Sequence, residues 1–185
     1  MGTATSVPKG GRGKNSLILL GTLVPVPVYH KIYRMIRQFR AEDAYSCCRL
    51  VQACILGDST FSPSLAEALL ESETPENMAE RAKLFYVAVY ESGDQVLGVA
   101  GLDMNEVRLL CVSPAHQRRG IGRALLEHLK TMIPGVVFGD AFVYSSEHAV
   151  GFYRACGFVE KGPFVFDIGG RPLRTIFMTL SIRSM

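Results

Sequence analysis

Apolar positions along the chain change period several times, and the changes mark out alternating strands and helices. "YRMIRQF", residues 33–39, has the composition of a strand. "AEDAYSCCRLVQACIL", residues 41–56, follows with apolar residues at helical spacing and acids in its first turn, and Gly57 is placed to end that helix. Residues 58–83 read as one or two short helices, because "SPSLAEALLES" opens on a Ser-Pro cap and Pro75 restarts the next. "LFYVAVY" and "QVLGVAGL" are β-rich runs around "ESGD", a hairpin signal, and "NEVRLLCV" is a third run. From about Gly122 the pattern returns to helix, with Leu125, Leu126, Leu129, Met132 and Ile133 on one face, and it stops before Pro134-Gly135. "FVFDIGGRPLRTIFMTL", residues 164–180, reads as a hairpin with a Gly-Gly turn. No repeat or linker interrupts this run, so the elements predict one mixed α/β domain over residues 31–185 behind an N-terminal extension of residues 1–30.

The extension has a different character. Residues 1–16 are rich in Gly, Ser, Thr, Lys and Arg without apolar periodicity, which predicts a flexible tail. "LILLGTLVPVPV", residues 17–28, is too short and too broken by Pro25 and Pro27 to span a bilayer, which takes about 20 apolar residues. No small-x-small cleavage site follows it, so secretion is not expected. The opening "MGTATS" fits the N-myristoylation pattern, and Lys9, Arg12 and Lys14 could supply the electrostatic second signal that stable anchoring needs. A weakly membrane-associated pool therefore stands beside the simpler reading of an unmodified tail. "GGRGKNS" is not a phosphate loop, since Asn15 stands where Ser or Thr is required and no strand precedes it.

Composition narrows the classes further. A length of 185 residues, 48% hydrophobic, suits one compact domain. Twenty basic against seventeen acidic residues leave only +3, with no Lys/Arg block interleaved with aromatics, so no nucleic-acid partner is expected. The five cysteines form an odd set without a C-x-x-C pair, which points away from a disulfide framework or a zinc site and toward a reducing, cytoplasmic compartment. No metal is expected.

The stretch richest in chemistry is "VSPAHQRRGIGRALLEHL", residues 112–129. A strand ends at Ser113-Pro114, a helix starts near Gly122, and between them glycines let the backbone approach a ligand and turn its N–H groups outward. With the positive end of the helix dipole and the charges of Arg118, Arg119 and Arg123, this makes an anion site suited to a pyrophosphate. The dinucleotide fingerprint does not fit, because Arg-Ala-Leu follows Gly122 where its third glycine would stand.

What these residues do resemble is the acetyl-CoA signature Q/R-x-x-G-x-G/A of the GNAT superfamily of N-acetyltransferases, present as Gln117-Arg118-Arg119-Gly120-Ile121-Gly122. A second segment of the family is matched by "SSEHAVGFYRACGF", residues 145–158, with its Ala-x-x-Phe-Tyr-x-x-x-Gly-Phe core. The resemblance runs from about residue 33 to 182. It implies a mixed, mostly antiparallel sheet of six or seven strands flanked by helices, with two central parallel strands splayed to admit acetyl-CoA. It also implies direct transfer of the acetyl group to a primary amine, on a small molecule or a polypeptide. Backbone N–H groups from Arg118 to Gly122 would hold the pyrophosphate, with Arg123 assisting. The segment Leu110-Cys111-Val112 would run along the pantetheine, Leu110 and Val112 pairing with it, and the Leu110 N–H would face the thioester oxygen. Ser146 stands where family members often carry Asn.

Acetyl transfer needs a deprotonated amine and a proton for the departing thiolate. The family places a tyrosine at Tyr153, which would be the acid; the plainer role is packing of its helix against the sheet. For the base, Glu106 stands six residues before Val112, where histone-type members keep a catalytic glutamate. Simple alternation would put Glu106, Arg108, Leu110 and Val112 on one face. The plainer reading of Glu106 is a solvated charge paired with Arg108, and Asp103 is a second candidate base. His116 and His128 suit surface or packing roles, and His148 lies near Tyr153 in sequence. Cys111 suits a small core residue better than a nucleophile.

On the acceptor side, Asp58, Glu67, Glu71, Glu73, Glu76 and Glu80 outnumber Arg81 and Lys83 between residues 57 and 83. A negative rim there would favour a cationic amine, although helix surfaces commonly carry such charges. Two other readings remain at this level: a non-catalytic acyl-CoA sensor, and a membrane-attached scaffold with the GNAT fold. Whether the chain forms a homodimer is left open.

Overall fold

The computed structural model describes residues 35–182. The expected N-terminal extension, its myristoylation pattern and the start of the domain at residue 31 lie outside the described residues. Strand β1 is short, Ile36–Gln38. A 3₁₀ turn at Ala41–Asp43 leads into helix α1, Ala44–Gly57. Helices α2, Pro63–Ser72, and α3, Pro75–Leu84, follow. Each opens on a hydroxyl cap before a proline, with Ser62 Oγ accepting from Leu65 N–H and Thr74 Oγ1 from Asn77 N–H. Strands β2, Tyr86–Ser92, and β3, Gln95–Asp103, form the hairpin signalled by "ESGD", its turn closed by Gly93 at φ +60°. Strand β4 spans Glu106–Val112, helix α4 Ile121–Met132, strand β5 Asp140–Ser145 and helix α5 Val150–Ala155. Strands β6, Val159–Ile168, and β7, Arg171–Ser181, turn at Gly169-Gly170.

The seven strands form one sheet in the order β1-β2-β3-β4-β5-β7-β6. Every neighbouring pair is antiparallel except β4 with β5. The sheet has a core on each face. On one, Leu125, Leu126 and Leu129 of α4 are fully buried against β-strand residues that include Ala100, Val112, Val143 and Met178. On the other, Cys47, Leu50 and Val51 of α1 and Met78 of α3 cover Val87, Val89 and Val99. Met132, expected on the buried face of α4, is the last residue of that helix and is 46% exposed, while Ile133 just beyond it is buried.

The start of the domain is locked by charge. Arg37 on β1 donates from both terminal nitrogens to the Asp43 carboxylate, at 2.7 and 2.9 Å, and from Nε to Glu91 on β2. The Arg40 N–H donates to the same Asp43 carboxylate at 2.7 Å. Asp43 is only 5% exposed, and burial alone would raise its pKa; the Arg37 and Arg40 hydrogen bonds outweigh that and hold it below the usual range. Its contribution to stability is therefore present above the unfolded carboxylate pKa and lost as pH falls through the lower folded value. Asp43→Asn should destabilise the fold by about 3 kcal/mol at pH 7 by leaving Arg37 half-paired, and by less at pH 3. Urea unfolding at the two pH values checks this, and an equal loss at both would show that packing dominates.

Candidate active site

Strands β4 and β5 part almost at once. Their pairing is confined to the register Glu106↔Phe142, braced by the Phe142 N–H donating to Asn105 O and by Asn105 Nδ2 donating to Asp140 O. Beyond that point the two strands diverge and leave a V-shaped opening. The Ser113 N–H donates to Leu97 O on β3, so by alternation Cys111 and Leu109 also direct their backbone groups to β3. Leu110 and Val112 direct theirs into the V. Cys111 thus offers no backbone group to a ligand there, and its side chain lies on the α1 face. The Cys54 thiol and burial both hold the Cys111 thiol well above its ordinary pKa, which keeps it protonated.

A bulge changes the expected faces of β4. Leu109 pairs with Gly101 and Val107 with Leu102, leaving Arg108 as an extra residue without a partner on β3. Alternation breaks at Arg108, so Val107 joins Leu110 and Val112 on the α4 face, and Glu106 turns to the α1 face. There Glu106 is a register neighbour of Phe142, at the apex of the V. Its carboxylate is mostly buried and lies 3.2 Å from Arg108 Nε; Asp103 lies 3.3 Å from the same nitrogen. Burial raises the Glu106 pKa, with Arg108 opposing and Asp103 adding to the rise.

The loop beyond β4 has the geometry of an anion cradle. Arg118 adopts φ +63° and Gly120 φ +84°, two left-handed residues separated by one, which turn successive N–H groups toward a common hollow. Helix α4 starts at the next residue, and the first N–H to enter its ladder is that of Ala124, donating to Gly120 O at 2.9 Å. None of the N–H groups of residues 118–123 donates to a backbone carbonyl among the described residues. Gln117 anchors the loop from behind, its Nε2 donating to Val112 O at 3.2 Å. A Cβ on Gly122 would meet the Phe152 ring at 3.4 Å and Leu110 Cδ2 at 3.6 Å, so Gly122 lets α4 sit close to α5 and the mouth of the V. Arg123 is engaged elsewhere: its guanidinium donates to Ala155 O, at the C-terminus of α5, at 2.9 Å. The positive charge left over the hollow is that of Arg118 and Arg119, both exposed and in no salt bridge among the described residues.

Across the V, Ser146 follows β5 with its hydroxyl uncommitted among the described residues, while its carbonyl accepts from Ser145 Oγ and Ala149 N–H. Tyr153 projects from α5 into the α4-side core, 5% exposed, between Phe152 and Phe158 at ring distances of 5.1 and 5.3 Å. Burial first, then the neighbouring Cys111 and Cys156, push the phenol well above its ordinary pKa. Among the described residues its hydroxyl makes no hydrogen bond. The histidines sit apart from these groups. His116 Nδ1 lies 3.2 Å from Ser113 Oγ, His128 Nε2 lies 2.8 Å from the Tyr86 hydroxyl, and His148 is exposed.

The acceptor side differs from the expected negative rim. Glu73 pairs with Arg81 and Glu80 with Lys83, and Asp58, Glu67 and Glu71 line a separate outer groove between α1 and α2. What flanks the V on the α1 and α2 side is aromatic: Phe142, Tyr144 and Phe177, with Tyr144 also 4.9 Å from Phe164 and 5.0 Å from Phe166. Sequence reading missed this floor because "DAFVYS" was not recognised as a strand; its period-two alternation of Phe142 and Tyr144 against Ala141 and Val143 was the available signal.

A mixed sheet whose two parallel strands splay beside a glycine-bent N–H cradle offers a cleft for an extended ligand and an anion site for its phosphates. Residues 56–171 match the family model described as "Acetyltransferase (GNAT) domain", and the chain belongs to that family of acetyl-CoA-dependent N-acetyltransferases. The N-alpha-acetyltransferase RimI of Mycobacterium tuberculosis is 31% identical over 65% of this chain and 75% of its own. The peptidyl-lysine N-acetyltransferase YjaB of Salmonella typhimurium is 27% identical over 74% of this chain and 91% of its own. The fold is shared with a GCN5-related N-acetyltransferase structure from Rhodopseudomonas palustris, at a TM-score of 0.74 and 22% identity, covering 80% of this chain and 94% of that one. No helix among the described residues is long and apolar enough to cross a membrane.

Proposed function

We propose that this enzyme acetylates a polypeptide amine, with Glu106 as general base and Tyr153 as general acid on opposite faces of the sheet. The observation that carries the reading is the apex of the V: Glu106 sits where β4 and β5 part, on the α1 face, while Tyr153 approaches from the α4 face. An amine arriving over the aromatic floor meets the carboxylate first, and the thiolate departs toward the phenol. The polypeptide acceptor is supported by two relatives, one named for N-alpha and one for peptidyl-lysine acetylation.

In this reading the N–H groups of Arg118, Arg119, Gly120, Ile121 and Gly122 hold the pyrophosphate, with the charges of Arg118 and Arg119 beside them. The N–H and C=O groups of Leu110 and the N–H of Val112 pair with the pantetheine as an added strand, and the Ser146 hydroxyl binds it from the other side. The Leu110 N–H stabilises the negative charge that builds on the thioester oxygen as the amine nitrogen attacks. Glu106 takes the proton from that nitrogen, the carbon–sulfur bond breaks, and Tyr153 gives its proton to the sulfur. Arg123 serves through the helix instead, tying α4 to α5 and so holding the Tyr153 helix against the cradle. A cytoplasmic location is supported by the five cysteines, all free in a fold that places Cys47 and Cys48 deep in its core.

The test is a pH-rate profile with a peptide acceptor. A base must be deprotonated, so wild-type kcat/KM should rise with pH through the raised Glu106 pKa and then level. Glu106→Gln should lower kcat by about 100-fold and remove that rise, leaving acetyl-CoA affinity unchanged. An unaltered profile would transfer the role to Asp103 or to solvent.

A further inference from the structure

Beyond the C-terminal end of β5 the chain forms a half-open cavity of about 490 Å³, outside the V and the phosphate cradle. It is walled by the α1 to α2 connection at Thr60 and Ser62, by Glu147 just after β5, and by Arg171 and Arg174 on β7. Among the described residues neither arginine forms a salt bridge, and neither does Glu147. Arg171 and Arg174, three apart on a regularly paired stretch of β7, project to opposite faces at the edge of the sheet, and both line the hollow together with hydroxyls and one carboxylate. Such a lining suits a ligand with more negative than positive charge.

The sheet order gives the cavity a direction. Moving away from the V, β5 comes first, with Glu147 one residue past Ser146, and β7 with its arginines lies one strand further, about 5 Å on. The backbone adds a second feature. Pairing of β7 with β5 stops at Ser145↔Ile176, while pairing of β7 with β6 continues to Arg171. The β7 edge over residues 171–175 is thus unpaired on the cavity side, and an extended chain laid there could take up its N–H and C=O groups as an added strand.

Resting on the reading of a polypeptide acceptor, we propose that this cavity selects acceptors with acidic side chains within their first three residues. The chain lies along the β7 edge with its carboxylates on Arg171 and Arg174. Glu147, between the arginines and the V, attracts the ammonium end and guides it toward Glu106. A basic peptide would meet the two arginines with like charge and be disfavoured.

The test uses three hexapeptides with a free amino terminus, alike except for Glu-Glu, Gln-Gln or Lys-Lys at the second and third positions. The wild-type enzyme should use the Glu-Glu peptide with kcat/KM about tenfold above Gln-Gln, and the Lys-Lys peptide least of all. Replacing both Arg171→Gln and Arg174→Gln should raise KM for the Glu-Glu peptide by about tenfold, leave kcat near wild type, and leave acetyl-CoA affinity unchanged. Equal use of all three peptides would overturn the inference while the polypeptide acceptor stands. Should none turn over, calorimetry of the Glu-Glu peptide in the presence of CoA separates the two claims. Binding by the wild type and not by the double variant would keep the cavity's preference and remove polypeptide acetylation. Absence of binding by either would overturn the preference.

Discussion

Gly120→Glu should weaken acetyl-CoA binding by about 100-fold or more, which calorimetric titration reads directly. The effect does not come from a clash, because a Cβ built on Gly120 meets no atom within 4 Å. It comes from two other sources. At φ +84° any L side chain is strained, by about 1–2 kcal/mol, and the loop would relax away from the conformation that gathers its N–H groups. The new carboxylate would also stand in the hollow meant for a diphosphate, with the α4 N-terminus now serving the wrong anion. Gly120→Ala separates these sources, since it carries the strain without the charge, and should cost less than about tenfold. Both variants should unfold near the wild-type temperature, the loop being exposed. Wild-type affinity in Gly120→Glu would remove residues 118–123 from the phosphate site altogether.

That loop was legible in the sequence because its chemistry is local. Glycine spacing, adjacent arginines and the start of an amphipathic helix all fall within a dozen residues, and each part constrains the backbone by itself. The hairpins at Gly93 and Gly169-Gly170 and the Ser62 and Thr74 caps were readable for the same reason. Features that depend on pairing were not. The bulge at Arg108 leaves "NEVRLLCV" looking like uniform alternation, yet the extra residue, visible only in the register with β3, moves Glu106 to the other face of the sheet. The move takes the carboxylate from the α4 face to the α1 face, the side from which the proposed acceptor approaches. The charge of the acceptor region was misread by the same limit. Setting six acids against Arg81 and Lys83 over residues 57–83 could not show which acids those two bases pair with, and it left out Glu147, Arg171 and Arg174, which lie far along the chain and line one cavity.

Tyr153→Phe should reduce kcat by about 100-fold while acetyl-CoA affinity stays within about twofold of wild type. The prediction rests on a phenol whose ring packs between Phe152 and Phe158 while its hydroxyl, with no hydrogen-bond partner among the described residues, keeps contact with solvent. Phenylalanine keeps the ring and its packing and removes only the hydroxyl. Thermal unfolding of the variant should therefore occur near the wild-type temperature, which separates a chemical role from a packing one. The pH dependence gives a further sign. An acid acts in its protonated form, and burial pushes this phenol above its ordinary value of about 10, so wild-type activity should hold through pH 10 with no alkaline decline from tyrosine ionisation. The sulfur leaving toward α5 would receive its proton from water in the variant, so turnover should become limited by thiolate departure and should recover with acyl donors whose thiols are more acidic. A variant with wild-type kcat and an unchanged response to the leaving thiol would show that Tyr153 only packs α5 against the sheet.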